Sequence, residues 1–158
     1  MKHKGAIMLS VMLVLISLCG CSKEKISGEY KMDKVSDTEP RLHIMKVTVT
    51  NKATRVDFKY VYKVMRVLAP GTAEALAVSP PGDAGALFIV AANGGKKYKL
   101  LKVEGVPTLP NYTVLQEGKV AEFVLVFERL DDDVRKFDIG EDNVGSTIPW
   151  KFLNIQLS

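Results

Sequence analysis

The sequence predicts an all-β domain, built as an antiparallel β-sandwich of about seven strands. Three observations lead there. Apolar and polar residues alternate with period two from about residue 41 onward. The alternating runs are parted by turns rich in Gly, Pro and Asp, residues that set or tolerate turn geometry. No stretch combines a helical period with helix caps.

Each element follows from its residues. In "HIMKVTVTN", Val47 and Val49 alternate with Thr48 and Thr50, while Ile44 is out of phase with Val47, so a bulge or an edge is expected there. "NKAT" closes a hairpin into "TRVDFKYVYKV". There Val56, Phe58, Tyr60, Tyr62 and Val64 alternate with Asp57, Lys59 and Lys63, the cleanest strand of the chain. "APGTAEALAVSPPGDAG" is a Pro- and Gly-rich loop around a short apolar patch, Ala75 to Val78. "ALFIVAANGGKKYKLLKV" gives two strands about an Asn93-Gly94-Gly95 turn, whose residues accept the positive φ of a tight hairpin. In "VAEFVLVFERL", Phe123, Leu125 and Phe127 occupy one face and Val124 and Val126 the other, as in a central strand covered on both sides. "PWKFLNIQL" supplies the last strand. Short strands at this spacing suit a sandwich of the immunoglobulin type. A small closed β-barrel is the alternative, since strand count and spacing overlap.

The first twenty residues have a different character. Lys2 and Lys4 form a basic head, Ala6 to Leu18 is a nearly unbroken apolar run, and small residues follow, the layout of a secretory signal peptide. The run is about thirteen residues, whereas a transmembrane helix needs roughly 20. Its ending, Leu18-Cys19-Gly20-Cys21, resembles the lipobox of bacterial lipoproteins. That resemblance implies cleavage before Cys21 and attachment of diacylglycerol, often with a third acyl chain such as palmitate, to the Cys21 thiolate. Two or three chains exceed the marginal binding of a single acyl chain. The expected organisation is a signal peptide over 1–20, a lipidated flexible tether over 21–40 and one immunoglobulin-like β-sandwich domain over 41–158.

Processing of that kind removes most candidate chemistry. Cys19 leaves with the signal and Cys21 is capped, so no disulfide, thiolate zinc site or cysteine nucleophile remains, and His43 becomes the only histidine. Net charge falls from +4 to +2, because loss of Lys2 and Lys4 leaves 20 basic residues against 18 acidic ones. Near-balance gives no argument for nucleic acid. Lys96, Lys97, Lys99 and Lys102 cluster, yet without the interleaved surface aromatics of a single-strand binder, and read as a solvated strand face.

Residues 41–158 also resemble an immunoglobulin-like domain carried by many bacterial lipoproteins. The resemblance lies in "VTVTN", the aromatic second strand, "FVLVF", "KFDIGE" and "WKFLNIQL". These are core and turn residues, so the resemblance implies a fold and no catalytic site. The sharpest chemical candidate is acidic: Asp131, Asp132, Asp133 and Asp138, with Glu141 and Asp142. Clustered carboxylates can supply the six to eight oxygens calcium takes. The spacing does not fit an EF-hand loop, and Arg135 and Lys136 stand among the acids, so a solvated turn is the competing reading. His43 lacks a nucleophile-elbow pattern nearby, and Trp150, Phe152, Tyr60 and Tyr62 at strand spacing suit a core more than a ligand groove.

No enzyme and no cofactor beyond the Cys21 lipid are expected. The sequence leads to a membrane-anchored, non-catalytic domain that binds a protein or glycan partner in the cell envelope. An envelope enzyme inhibitor or small-ligand carrier is the alternative. Ser22, where an inner-membrane retention signal has aspartate, favours the outer membrane if the host is a diderm.

Overall fold

The computed structural model describes residues 25–63, 73–141 and 149–158. The expected signal peptide, the lipobox-like sequence with Cys21, and Asp142 lie outside these residues. Ten strands and no helix occur among those described: β1 (Gly28–Val35), β2 (Leu42–Val49), β3 (Ala53–Val61), β4 (Glu74–Leu76), β5 (Phe88–Ala91), β6 (Lys97–Glu104), β7 (Thr113–Leu115), β8 (Val120–Glu128), β9 (Lys136–Gly140) and β10 (Lys151–Gln156). Eight of them form one sheet in the order β1-β2-β3-β8-β6-β5-β9-β10, all neighbours antiparallel. β4 and β7 make a separate two-stranded ribbon.

The sheet folds over itself at β6. Lys97–Lys99 pair with β5, Leu100–Glu104 pair with β8, and the register slips between Leu100 and Lys102. A strand that changes partners through such an irregularity makes a corner between two layers. One layer is β1-β2-β3-β8 and the other β5-β9-β10. Between them lies a single core. Phe58 of β3 stacks on Phe123 of β8 at 5.2 Å and meets Phe152 of β10 edge-on at 5.6 Å, which joins the two layers through aromatic contact. Leu125, Phe127, Ile139 and Phe137 extend this core and are almost wholly buried.

The opposite corner is a seam between the segment after β1 and β10. Asp37 N–H donates to the Lys151 carbonyl at 2.8 Å, Ser36 Oγ to the same carbonyl at 2.9 Å, and Lys151 N–H to Thr38 Oγ1 at 3.0 Å. Leu153 N–H reaches Asp37 Oδ2 at 2.7 Å and, with Lys34, holds that carboxyl below its ordinary range. Lacing of this kind brings the sandwich close to a closed barrel, so the architecture has features of both expected alternatives.

Several expectations meet the structure directly. The bulge expected near Ile44 is there: the β2–β3 register slips between Ile44 and Lys46, and the extra residue, Met45, lets both Ile44 and Val47 face the core. Tyr60, Tyr62 and Phe152 are core residues. Two expectations need correction. Of the tether expected over 21–40, the described residues 25–40 belong to the domain: Ile26 is fully buried, Gly28–Val35 is a strand paired with β2, and Ser36 and Glu39 are buried. Tyr30 and Met32 alternate with Lys31 and Asp33 and pack against the core, which places an otherwise polar segment on the sheet. The second correction concerns β8. Val126 is buried, as expected, whereas Val124 is half-buried at the outer face; charged side chains flank both in register, Arg55 and Lys102 beside Val126 and Asp57 and Glu104 beside Val124, in place of the expected second layer.

The strands run between two distinct ends. The entry end, where the chain arrives at Ile26, holds the β2–β3 turn, the β5–β6 turn and the 129–135 loop. The ribbon end holds the 36–41 turn and the β4–β7 ribbon, and there Tyr62 N–H to the Lys119 carbonyl continues the pairing of β3 with β8.

Arg41 fastens the ribbon end. Its guanidinium takes Glu39 at 2.8 Å on two nitrogens and Glu74 of β4 at 2.6 Å, and it lies over the rings of Tyr60 and Tyr62. Arg41 holds the Glu39 carboxyl below its ordinary range. Removing the cation would leave a buried carboxylate without its partner, which costs about 3–5 kcal/mol. Arg41→Ala should therefore lose stability of that order in urea unfolding, and a loss under about 1 kcal/mol would place the pair in the weak surface class.

Candidate functional site

The outer face of the first layer is concave. A groove of about 670 Å³ crosses β1, β2, β3, β8 and the end of β6. Met45 and Val124 supply apolar surface, and Glu29, Asp57, Glu104 and Glu122 stand around them with Lys31 and Lys46. The strand pleat explains the composition. Residues that alternate with buried Val47, Val56 and Phe58 must point outward, and at those positions the sequence has Lys46, Arg55 and Asp57.

The charges are ordered into two clusters. Lys46 Nζ lies 3.2 Å from both Asp57 and Glu29, tying β1, β2 and β3 together, and these carboxylates raise the lysine pKa. Arg55 and Lys102 converge on Glu104 at 2.8 Å and 3.0 Å. The Arg55 guanidinium, with Lys102 beside it, pulls the Glu104 carboxyl down to about 2. Glu122 and Lys31 remain at the groove without an ion pair among the described residues. Gly105 closes one side. Its φ is +82°, and a Cβ there would stand 3.0 Å from the Glu122 carbonyl oxygen and 3.2 Å from Phe123 Cα, so only glycine lets the chain leave β6 this close to β8. An apolar floor with charged rims of both signs suits a polar macromolecular surface or an extended ligand, held by complementary charge and contact.

The acidic residues singled out in the sequence do not converge. Asp131 accepts from Lys96 at 2.6 Å and from the Tyr98 hydroxyl at 3.0 Å, which hold its carboxyl below the ordinary range. Asp132 pairs with Arg129, and Asp133 accepts from Asn93 at 3.3 Å. Asp138 faces another way, on β9, where it accepts the Asn154 N–H at 2.7 Å. Among the described residues no three His, Cys, Asp or Glu side chains come together as a metal cage. Val134 N–H returns to the Asp131 carbonyl, so 131–134 is a turn whose carboxylates already have donors.

Other candidates are equally local. His43 Nδ1 lies 2.8 Å from Asp33 Oδ1 across β1 and β2, in partly exposed surroundings. Lys96 lies over the Tyr98 ring and Lys97 over the Phe88 ring, so these members of the lysine cluster cover aromatic surface. Glu141, at the end of β9, is different: burial pushes its carboxyl up to about 7, against a hydrogen bond from the Trp150 backbone. The hollow beneath the 80–87 loop, about 540 Å³, is bordered by Asp83, Phe88, Lys97 and the exposed Leu101.

No protein-family model matches the chain, and no curated protein or solved structure is detectably similar to it.

Two outcomes follow for the site. Glu104 titrates near 4.5 when unfolded and near 2 when folded, so its pairing stabilises the protein at neutral pH and is lost as pH falls through about 2. The melting-temperature gap between wild type and Glu104→Gln should be constant above the ordinary carboxylate range and close by pH 2; a gap that persists there contradicts the pairing. Millimolar calcium should leave the melting temperature unchanged, whereas a ligand specific for the folded state must raise it.

Proposed function

We propose that this protein is a lipid-anchored bacterial lipoprotein of the cell envelope, whose β-domain binds a protein or glycan partner and catalyses no reaction. The observation that carries the reading is the Leu18-Cys19-Gly20-Cys21 sequence behind a basic head and a short apolar run. Cys21 carries the lipid and the anchor holds the domain on its membrane, the outer membrane where the host has two. The groove across β1, β2, β3 and β8 supports the binding part, because its mixed charges and exposed Met45 offer contacts to a surface that slides in from solvent. Its charged groups pair chiefly with one another, an arrangement suited to complementarity.

A second reading draws on a separate feature. The loop at 80–86 is ordered by its own hydrogen bonds, Asp83 N–H to Pro80 and Ala86 N–H to Asp83, above the hollow that Leu101 borders. A protruding ordered loop suits an inhibitor of an envelope enzyme, and a hollow beneath it suits a small-ligand carrier.

Cys21→Ala should abolish uptake of labelled palmitate and release the protein from sedimented membranes; retention of both overturns the anchor. Crosslinking in native envelopes should then capture a discrete protein or a glycan fragment with wild type and lose it with Glu122→Lys, which reverses one exposed groove charge. Equal capture by both forms moves the binding surface away from the groove.

A further inference from the structure

We infer that the entry end of the domain is built to lie against the phospholipid headgroups, which fixes the domain's orientation on its membrane. The inference rests on the lipid anchor at Cys21 and adds to it. Its first support is chain length. Ile26 has no exposed surface and is locked in the core, so only five residue steps separate it from Cys21. Fully extended, five steps reach about 17 Å. A tether that short cannot carry the domain clear of the interface, and it pulls on one end alone.

The second support is how charge is arranged at that end. Lys25, Ser27, Asn51, Arg129 and Asp132 surround a shallow hollow of about 370 Å³ beside the entering chain. The carboxylates of this end are already engaged: Asp131 by Lys96 and Tyr98, Asp132 by Arg129, Asp133 by Asn93, and Glu128 by the Lys99 N–H at 2.9 Å. Lys25 and Lys52 are exposed, and neither has a carboxylate partner among the described residues. Asp133 and Glu128 accept only from neutral donors and keep their charge, so the attraction is local: Lys25, four residues from Cys21, and Lys52 are free ammonium groups of the kind drawn to anionic headgroups within a Debye length.

The other end lies a strand's length away. β2, β3 and β8 run from the entry end to the β4–β7 ribbon, and a nine-residue strand such as β3 spans about 30 Å. Exposed Leu109, Tyr112 and Val114 accompany that ribbon. Apolar side chains of that size sit on the end that the tether directs away from the lipid.

The test uses the lipidated protein in vesicles with nitroxide-labelled headgroups. Asn51→Cys at the entry end and Tyr112→Cys at the ribbon end each receive a fluorophore; both positions are exposed, so the fold tolerates the label. The label at 51 should be quenched strongly and the label at 112 should stay at background. The difference should be larger in vesicles containing phosphatidylglycerol than in phosphatidylcholine alone, and Lys25→Gln with Lys52→Gln should erase that lipid preference. Protein that fails to float with vesicles, or lacks the acyl mass on Cys21, refutes the anchor itself. Protein that floats but shows equal quenching at 51 and 112, or no preference for anionic lipid, overturns the orientation and leaves the anchor standing.

Discussion

The contact of Phe58 with Phe152 is the point on which the rest of the structure depends. Phe58 belongs to the layer of β3 and β8, Phe152 to the layer of β9 and β10, and their edge-to-face meeting is where one curved sheet becomes a filled body. The two cysteines of the sequence, at positions 19 and 21, both precede the domain, so no covalent bridge can share this task. Apolar burial must hold the layers together, at roughly 1.5–3 kcal/mol for each large side chain placed fully inside. The inward faces of the central strands are accordingly aliphatic or aromatic but for Thr54, whose hydroxyl accepts the Leu130 N–H, with Val47, Val56, Phe58, Leu125 and Phe127 in succession across β2, β3 and β8.

Once the inward face is committed to packing, the outward face is free to carry charge, and the groove follows from that division. A strand has only two faces. The side chains that alternate with the core of β3 are Arg55, Asp57 and Lys59; register brings Asp57 beside Lys46 and Lys59 beside Glu122, and Arg55 reaches across to share Glu104 with Lys102. The corner at β6 contributes the curvature, and Gly105 lets the chain pass close to β8. Concavity and charge at the groove are therefore by-products of the same constraint that builds the core.

Legibility in the sequence tracks how local each signal is. The alternation of β3, the Asn-Gly-Gly hairpin and the phase slip at Ile44 are all written within a few residues, and the structure has each of them. β1 is not legible because "GEYKMDKV" has Tyr30 and Met32 as its only large apolar side chains on the inward face, among charges, although its partner β2 follows after only residues 36–41. β4 and β7, three residues each, are too short to show a period. The groove was not legible at all. Five strands give it one to three residues each, and no window of sequence contains Glu29, Asp57 and Glu104 together. The acidic run misled in the opposite way: adjacency at 131–133 suggested convergence, but side chains that follow one another around a turn point apart and find separate donors.

The seam between residues 36–38 and β10 has a consequence for how the molecule comes into being. It joins one of the first structured segments to the last strand, and the second layer cannot be assembled until β9 and β10 exist, since β5 has β9 as its outer neighbour. A chain emerging from the ribosome or threading a translocation channel can thus form the β2–β3 hairpin early, but it has nothing to close against until its final residues are free. Such a topology keeps the polypeptide open until β10 is available, so closure of the domain comes last.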